Sequence, residues 1–305
     1  MPARQTAATI RAQAVAADWE TDDVPVAAEP PLAAETPLAA EIGRATLASL
    51  PAHTLSACIE WQFAEAGDLA QRIHAARDAG FSAVEFHLWR DKPMAQVAAA
   101  LAETGIVLTG MCVDPRRSIV DPAERAEMVE AVAESIAAAA CLGKPPLIVA
   151  SGFRVEGMSE EAHFANAVAA LKEAAALAEQ AGVMLLLEPL NTRLFAQMYL
   201  VSTTLGLDLV EAVASPNLRL LYDVWHSAVM GEDIAHVLEG RIHLVAHVQV
   251  ADMDARNEPG TGSVDWAHVM TTLRRMGYAG SIGMEYFPTL PMDRSLELTR
   301  TTLGL

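Results

Sequence analysis

Eight short apolar runs recur between residues 54 and 286, each separated from the next by a longer, mostly Ala-rich segment. That alternation constrains the fold more than any other feature of the chain. The runs are TLSACI from Thr54, SAVEFH from Ser82, IVLTGMC from Ile106 and PLIVAS from Pro146. They continue with VMLLLE from Val183, LRLLYD from Leu218, AHVQVAD from Ala246 and SIGMEY from Ser281. Runs of this length and composition, bounded by turn residues, read as strands. The unbroken Val183–Leu187 block is that of a strand covered on both faces.

The intervening segments carry the period of a helix laid on a sheet. GDLAQRIHAARDAG opens on Gly67-Asp68 and closes on Gly80, a cap at either end. The segment from Asp121 begins with Asp-Pro, a cap followed by proline in the first turn. A third runs from Ser159 to Gly182. Eight strand–helix units in about 250 residues predict an α/β protein with a closed (β/α)8 TIM barrel. The runner-up is an open doubly wound sheet, which the same alternation can produce. No GxGxxG follows the first strand, so the nucleotide-binding version of that sheet has little support.

The rhythm starts at His53, and residues 53–305 are read as one catalytic barrel domain. Residues 1–52 contain VPVAAEPPLAAETPLAAE, a loose Ala/Pro/Glu repeat. Its prolines break helices, and it is expected to be a disordered or weakly ordered leader. The formal charge is −18 with no basic stripe, which disfavours nucleic acid and anionic membranes as partners. Cys58, Cys112 and Cys141 stand singly, as suits a reducing compartment. No apolar run is long enough for a membrane span, so the expected location is the cytoplasm. Composition is compatible with a homo-oligomer and selects none.

A barrel collects its chemistry where the strands end. The last four runs finish on or beside Glu188, Asp223, Gln249 and Glu285, separated by 35, 26 and 36 residues. Each interval is about one strand–helix–strand step, so the four side chains can reach one rim. Three carboxylates and an amide in one place would repel without a cation between them. Hard oxygen donors suit Mg²⁺ or Mn²⁺. Such an ion would polarise a substrate carbonyl, and two carboxylates could move a proton between neighbouring carbons. A single acid at a strand end is more often a cap or a solvated loop residue; four in succession are not explained that way. His226, three residues after Asp223, can bond a substrate oxygen. Glu85 and Asn191 are candidates for the pocket lining. Arg256 and Glu258 lie in RNEPGTG, where an arginine could clamp a substrate carboxylate.

LLLEPLNTR, LLYDVWH, HVQVAD, RNEPGTG and GYAGSIGMEYFP, in that order, resemble the hydroxypyruvate isomerase family of xylose-isomerase-like barrels. The resemblance runs from about Thr54 to Pro288. It implies a metal site of Glu188, Asp223, Gln249 and Glu285, with the two glutamates as an acid–base pair working through a cis-enediolate. It also implies substrate contacts at His226 and Arg256. Gln249 is similar to the hydroxypyruvate branch, whereas ketose 3-epimerases have histidine there. Several loop positions depart from the family pattern: LFAQMYL follows Arg193, Ala228 stands where a glutamine is usual, and Ser263 stands where an acid is common. The expected reaction is aldose–ketose type isomerisation of a small hydroxy-carbonyl compound, with hydroxypyruvate and tartronate semialdehyde as the reference pair and without a redox cofactor. A ketose 3-epimerase or another sugar isomerase on the same scaffold is the alternative; a related metal-dependent lyase or nuclease, and a binding or subunit protein without catalysis, are further rivals.

Overall fold

The structure, a computed structural model, describes residues 50–305. The reading of a leader over residues 1–52 therefore falls almost wholly outside the described residues. Nine parallel strands form one sheet. They are β1 (Leu55–Cys58), β2 (Ala83–Glu85), β3 (Val107–Leu108), β4 (Met111–Cys112), β5 (Leu147–Val149), β6 (Leu185–Leu187), β7 (Leu218–Asp223), β8 (Val245–Gln249) and β9 (Ile282–Met284). Their order is β3-β2-β1-β9-β8-β7-β6-β5-β4. Because β3 runs into β4 through Thr109-Gly110, the two ends of that order are joined by the chain and the ring closes. The barrel is the predicted one.

One expected strand differs. IVLTGMC is not continuous; it pairs with β2 through its first half and with β5 through its second. At the break, the Thr109 hydroxyl turns to Ser56 Oγ at 2.5 Å and to the Val84 carbonyl at 3.1 Å. At Gly110 an added Cβ would sit 3.3 Å from Ile148 Cδ1, so the absence of a side chain lets β5 close against the kink.

Helices cover the outside of the ring. The segment expected to start at Asp68 does so: its carboxylate accepts from the Gln71 N–H, and the Gln71 side chain returns the bond. Ser159 caps the long helix Glu160–Ala181, which ends on left-handed Gly182. The Asp121 segment starts later than predicted. Asp121 caps a turn through the Ala123 N–H at 2.8 Å, and the regular helix begins at Arg125. The main core lies between this helical shell and the strands, with Leu147, Leu185, Leu171 and Tyr286 fully buried. Among the described residues no helix is long and apolar enough to cross a membrane.

Candidate active site

The C-terminal ends of β6 to β9 present the four expected side chains together. Asp223 ends β7 and pairs in register with Gln249 at the end of β8; Gln249 in turn faces Gly283 on β9. Glu188 and Glu285 follow β6 and β9 by one residue. Glu188, Gln249 and Glu285 line a cleft that opens to solvent. His87, Arg116, His226 and Arg256 add to its polar wall, and Ile148, Ala150, Leu190, Leu194 and Phe195 contribute an apolar one.

Asp223 serves two purposes. Its Oδ1 accepts from the Trp225 N–H at 2.7 Å and the His226 N–H at 3.4 Å, capping the short helix Val224–Val229. That cap turns His226 back over the barrel and leaves Oδ2 for the site. The ordinary reading of a strand-end acid and the functional one therefore apply to the same residue.

His226 is oriented by Asn191. The Asn191 Oδ1 accepts from the Leu194 N–H at 3.0 Å, which leaves its Nδ2 to donate to His226 Nδ1 at 2.9 Å. Nδ1 is thus an acceptor, and the neutral ring carries its proton on Nε2. Burial and the Arg256 charge push the imidazole well below its usual range, so the neutral form prevails. Nε2–H points to Asp223 Oδ2 at 3.5 Å and Glu188 Oε1 at 3.8 Å. Asn191 was expected in the pocket lining; it stands behind His226 instead, and His226 is the donor that faces the cavity.

Arg256 sits inside the carboxylate cluster. Its Nη2 donates to Asp223 Oδ2 at 3.2 Å and to Glu285 Oε2. Its guanidinium lies 4.6 Å from the Trp225 ring and 5.2 Å from that of Trp61. A bidentate clamp on an incoming carboxylate, the role expected of it, is thereby taken up within the protein, although its buried Nε has no partner among the described residues.

Glu85, a candidate for the pocket lining, and Glu258, a candidate substrate contact beside Arg256, both lie outside the cleft lining. Glu85 lies across the barrel interior, accepting from His247 Nε2 at 2.8 Å and Gln249 Nε2 at 2.9 Å. Glu258 is fully buried and holds the loop after β9, accepting from the Thr289 and Leu290 N–H groups. Two cavity residues escaped the sequence reading. His87 donates to Glu285 Oε1 at 3.0 Å; it shares pleat parity with Glu85, a usable signal that was passed over. Arg116, four residues beyond Cys112, carried no motif.

The electrostatics are uneven. Burial and the charges of Glu285 and Asp223 raise the Glu188 carboxyl well above its normal range. Burial lifts Asp223 to about 8 despite the opposing Arg256. Burial also opposes ionisation of Glu285, but Arg256 and His87 outweigh it and hold that carboxyl far below the usual range.

This donor set fits a divalent cation. Glu188, Asp223 and His226 offer atoms within 4.8 Å of one another. Among the described residues the Gln249 Oε1 is buried without a partner, because its amide is turned by the bond to Glu85. A buried acceptor left open beside three carboxylates is what an oxygen-ligated ion would satisfy. His226, with its proton on Nε2, suits a substrate oxygen better than the ion.

Comparison with known proteins agrees with the geometry. Residues 73–302 match the family described as Xylose isomerase-like TIM barrel. The chain belongs to that family. Within this xylose isomerase-like group, Hydroxypyruvate isomerase of Escherichia coli is 28% identical over 236 residues, covering 75% of this chain and 92% of that one. The 2-oxo-tetronate isomerase of Cupriavidus necator is 26% identical over 240 residues, covering 76% and 92%. Among solved structures, one titled AP endonuclease, family 2, from Brucella melitensis superposes with a TM-score of 0.74 at 26% identity, covering 81% and 97%. The chain is an enzyme of the isomerase class.

Proposed function

We propose that this family member is a metal-dependent isomerase of small hydroxy-keto acids, of the hydroxypyruvate/tartronate semialdehyde type. The observation that carries the reading is the convergence of Glu188, Glu285 and the open Gln249 oxygen on one cleft, with Asp223 buried beside Glu188. Glu188, Asp223, Gln249 and Glu285 would hold the ion, with Mg²⁺ or Mn²⁺ suited to oxygen donors. When bound, the ion supplies polarisation of the substrate carbonyl.

Glu188 and Glu285 form the acid–base pair. One takes the proton from the hydroxyl-bearing carbon, giving a cis-enediolate; the proton returns to the adjacent carbon while the hydroxyl proton passes from one oxygen to the other. Nε2–H of neutral His226 donates to a substrate oxygen. The Trp61 ring, packed on His87 and Phe287, covers part of the cleft. The expected location remains the cytoplasm.

The test is isotopic. In D₂O with Mn²⁺ or Mg²⁺, the enzyme should place deuterium at the hydroxyl-bearing carbon of hydroxypyruvate. A panel of hydroxy-keto acids and four- to six-carbon ketoses that shows neither exchange nor turnover would sink the reading. Preference for the ketoses would move it to the 3-epimerase alternative, which uses the same acid–base pair. A nuclease, as named for the Brucella structure, fits poorly with a charge of −18.

A further inference from the structure

We propose that the substrate carries a short hydrocarbon substituent on its hydroxyl-bearing carbon, seated against the apolar wall of Ile148, Ala150, Leu190, Leu194 and Phe195. The inference rests on the isomerase reading and adds to it the substrate class: alkyl-substituted hydroxy-keto acids rather than polyhydroxylated ones.

The cleft has two unlike sides. The proposed metal donors stand at the ends of β6 to β9, whereas the apolar residues come from β5 and from the segments that follow β5 and β6. Leu190, Phe195 and Met198 form a hydrophobic cluster of their own, with Ala150 and Leu194 packed against it. Ile148 belongs to another that includes the buried Cys112. Ala150 and Leu194 are only partly buried, so the wall keeps hydrocarbon in contact with the cleft. A ligand group that covers it gains from leaving water.

The wall offers a substrate hydroxyl nothing to bond. No serine, threonine, tyrosine or asparagine lies among the described residues lining the cleft. Two polar side chains adjoin the wall in sequence, and both are engaged elsewhere. Ser151 is fully buried; its Oγ donates to the Gly152 carbonyl at 3.1 Å and accepts from the Leu200 N–H at 2.9 Å. Asn191 is committed to Leu194 and His226. A hydroxyl pressed on this wall would give up water without a replacement, which disfavours it. A carboxylate there would fare worse.

The position of the wall decides which part of the substrate meets it. Leu190 follows Glu188 by two residues, so the hydrocarbon begins beside an acid–base group. A substituent on the carbon that exchanges its proton is therefore the part that reaches it. The chemistry is unchanged: the proton leaves the substituted carbon and returns on its neighbour, the hydroxyl proton crosses between the oxygens, and no co-reactant is consumed.

The wall is also held in advance. The Leu190 N–H donates to the Leu200 carbonyl at 2.9 Å, the Tyr199 N–H to that of Gly152 at 3.1 Å and the Arg154 N–H to that of Gln197 at 2.8 Å. These bonds tie the segment after β6 to the one after β5. Phe153 packs edge-on against Phe195, with ring centroids 6.1 Å apart. A surface that need not be ordered by the ligand favours binding.

The test compares two near-isosteric analogues of hydroxypyruvate, one with an ethyl and one with a hydroxymethyl group on the hydroxyl-bearing carbon. Binding to the Mn²⁺-loaded full chain is measured by calorimetry, so that turnover is not required, and solvent deuterium exchange is followed in parallel. The natural chain should bind the ethyl compound about tenfold or more tightly than the hydroxymethyl one. In Leu194→Ser and Ala150→Ser, which place a hydroxyl on the wall, that preference should fall at least about threefold. Ala150→Ser adds a single oxygen at a partly exposed site and decides the matter if Leu194→Ser melts early.

A natural chain that binds neither compound, binds both equally or favours the hydroxymethyl one overturns the inference. So does a preference unchanged in both variants. Deuterium exchange into hydroxypyruvate would then still uphold the isomerase reading. Wall-dependent preference for the ethyl compound without exchange into any of the three acids would leave the substrate class standing and overturn that reading.

Discussion

An amide side chain has a donating end and an accepting end, and Gln249 shows how a neighbour chooses between them. Glu85 can only accept when ionised, so the Gln249 NH₂ turns to it and Oε1 is left toward the cleft. Glu85→Gln removes that bias, and affinity for Mn²⁺ is expected to fall about 10- to 100-fold, as for partners standing behind metal ligands. Titration of the ion against melting temperature measures this without reference to activity. Glu188→Gln and Glu285→Gln address the chemistry itself. Each should lower kcat by at least about a thousandfold, and deuterium incorporation from solvent should vanish with turnover. A variant that kept either would remove its glutamate from the acid–base role. The acids at strand ends were legible from spacing alone. The duties of Asn191, Glu85 and Glu258 were not, because a polar residue near a rim reads the same whether it faces the ligand or the residue that does.

At the scale of the strand, Gly283 on β9 explains how Glu85 can cross the barrel. A Cβ at that position would lie 2.5 Å from both Glu85 carboxylate oxygens, closer than real contacts allow. Gly283→Ala must therefore displace the carboxylate that holds His247 and Gln249. Overpacking of this kind costs about 1–3 kcal/mol. For a domain of this size the melting temperature should drop by roughly 2–12 °C, read by calorimetry. Weakened Mn²⁺ binding should accompany the drop; unchanged binding would show that Gln249 keeps its orientation without Glu85. Strand periodicity located β1, β2 and β5 to β9 well, because their apolar runs are short and sharply bounded. It missed the break between β3 and β4, since the cause is the Thr109 hydroxyl meeting Ser56, a residue 53 positions away. Distant partners leave no mark in a local pattern.

For the whole molecule, the raised carboxyls make stability depend on pH and on the ion together. Glu188 and Asp223 titrate higher in the folded chain than in the unfolded one, Asp223 at about 8. Between the ordinary carboxylate range near pH 4 and pH 8, the folded state binds more protons than the unfolded state. Stability of the metal-free protein attributable to these groups therefore falls as pH rises across that window. A divalent ion replaces those protons, so its stabilising effect should grow in the same direction. Melting curves at pH 5 and pH 8, with EDTA and with saturating Mn²⁺, should show the larger gain at pH 8. Equal gains would separate ion binding from these carboxyls. Barrel closure was readable from the repeat, since it depends on how many strand–helix units the chain supplies. The assignment of Arg256 as a ligand clamp was not secure, because sequence cannot tell whether a cation near acids is held by them.

The indole rings of Trp61 and Trp225 both face the Arg256 guanidinium at the mouth of the barrel. Tryptophan emission responds to the charge and polarity beside it, so these two side chains form a built-in optical gauge. Loading with ion, and then with ligand, can be followed by light in the native chain, with no dye attached and no catalytic step required.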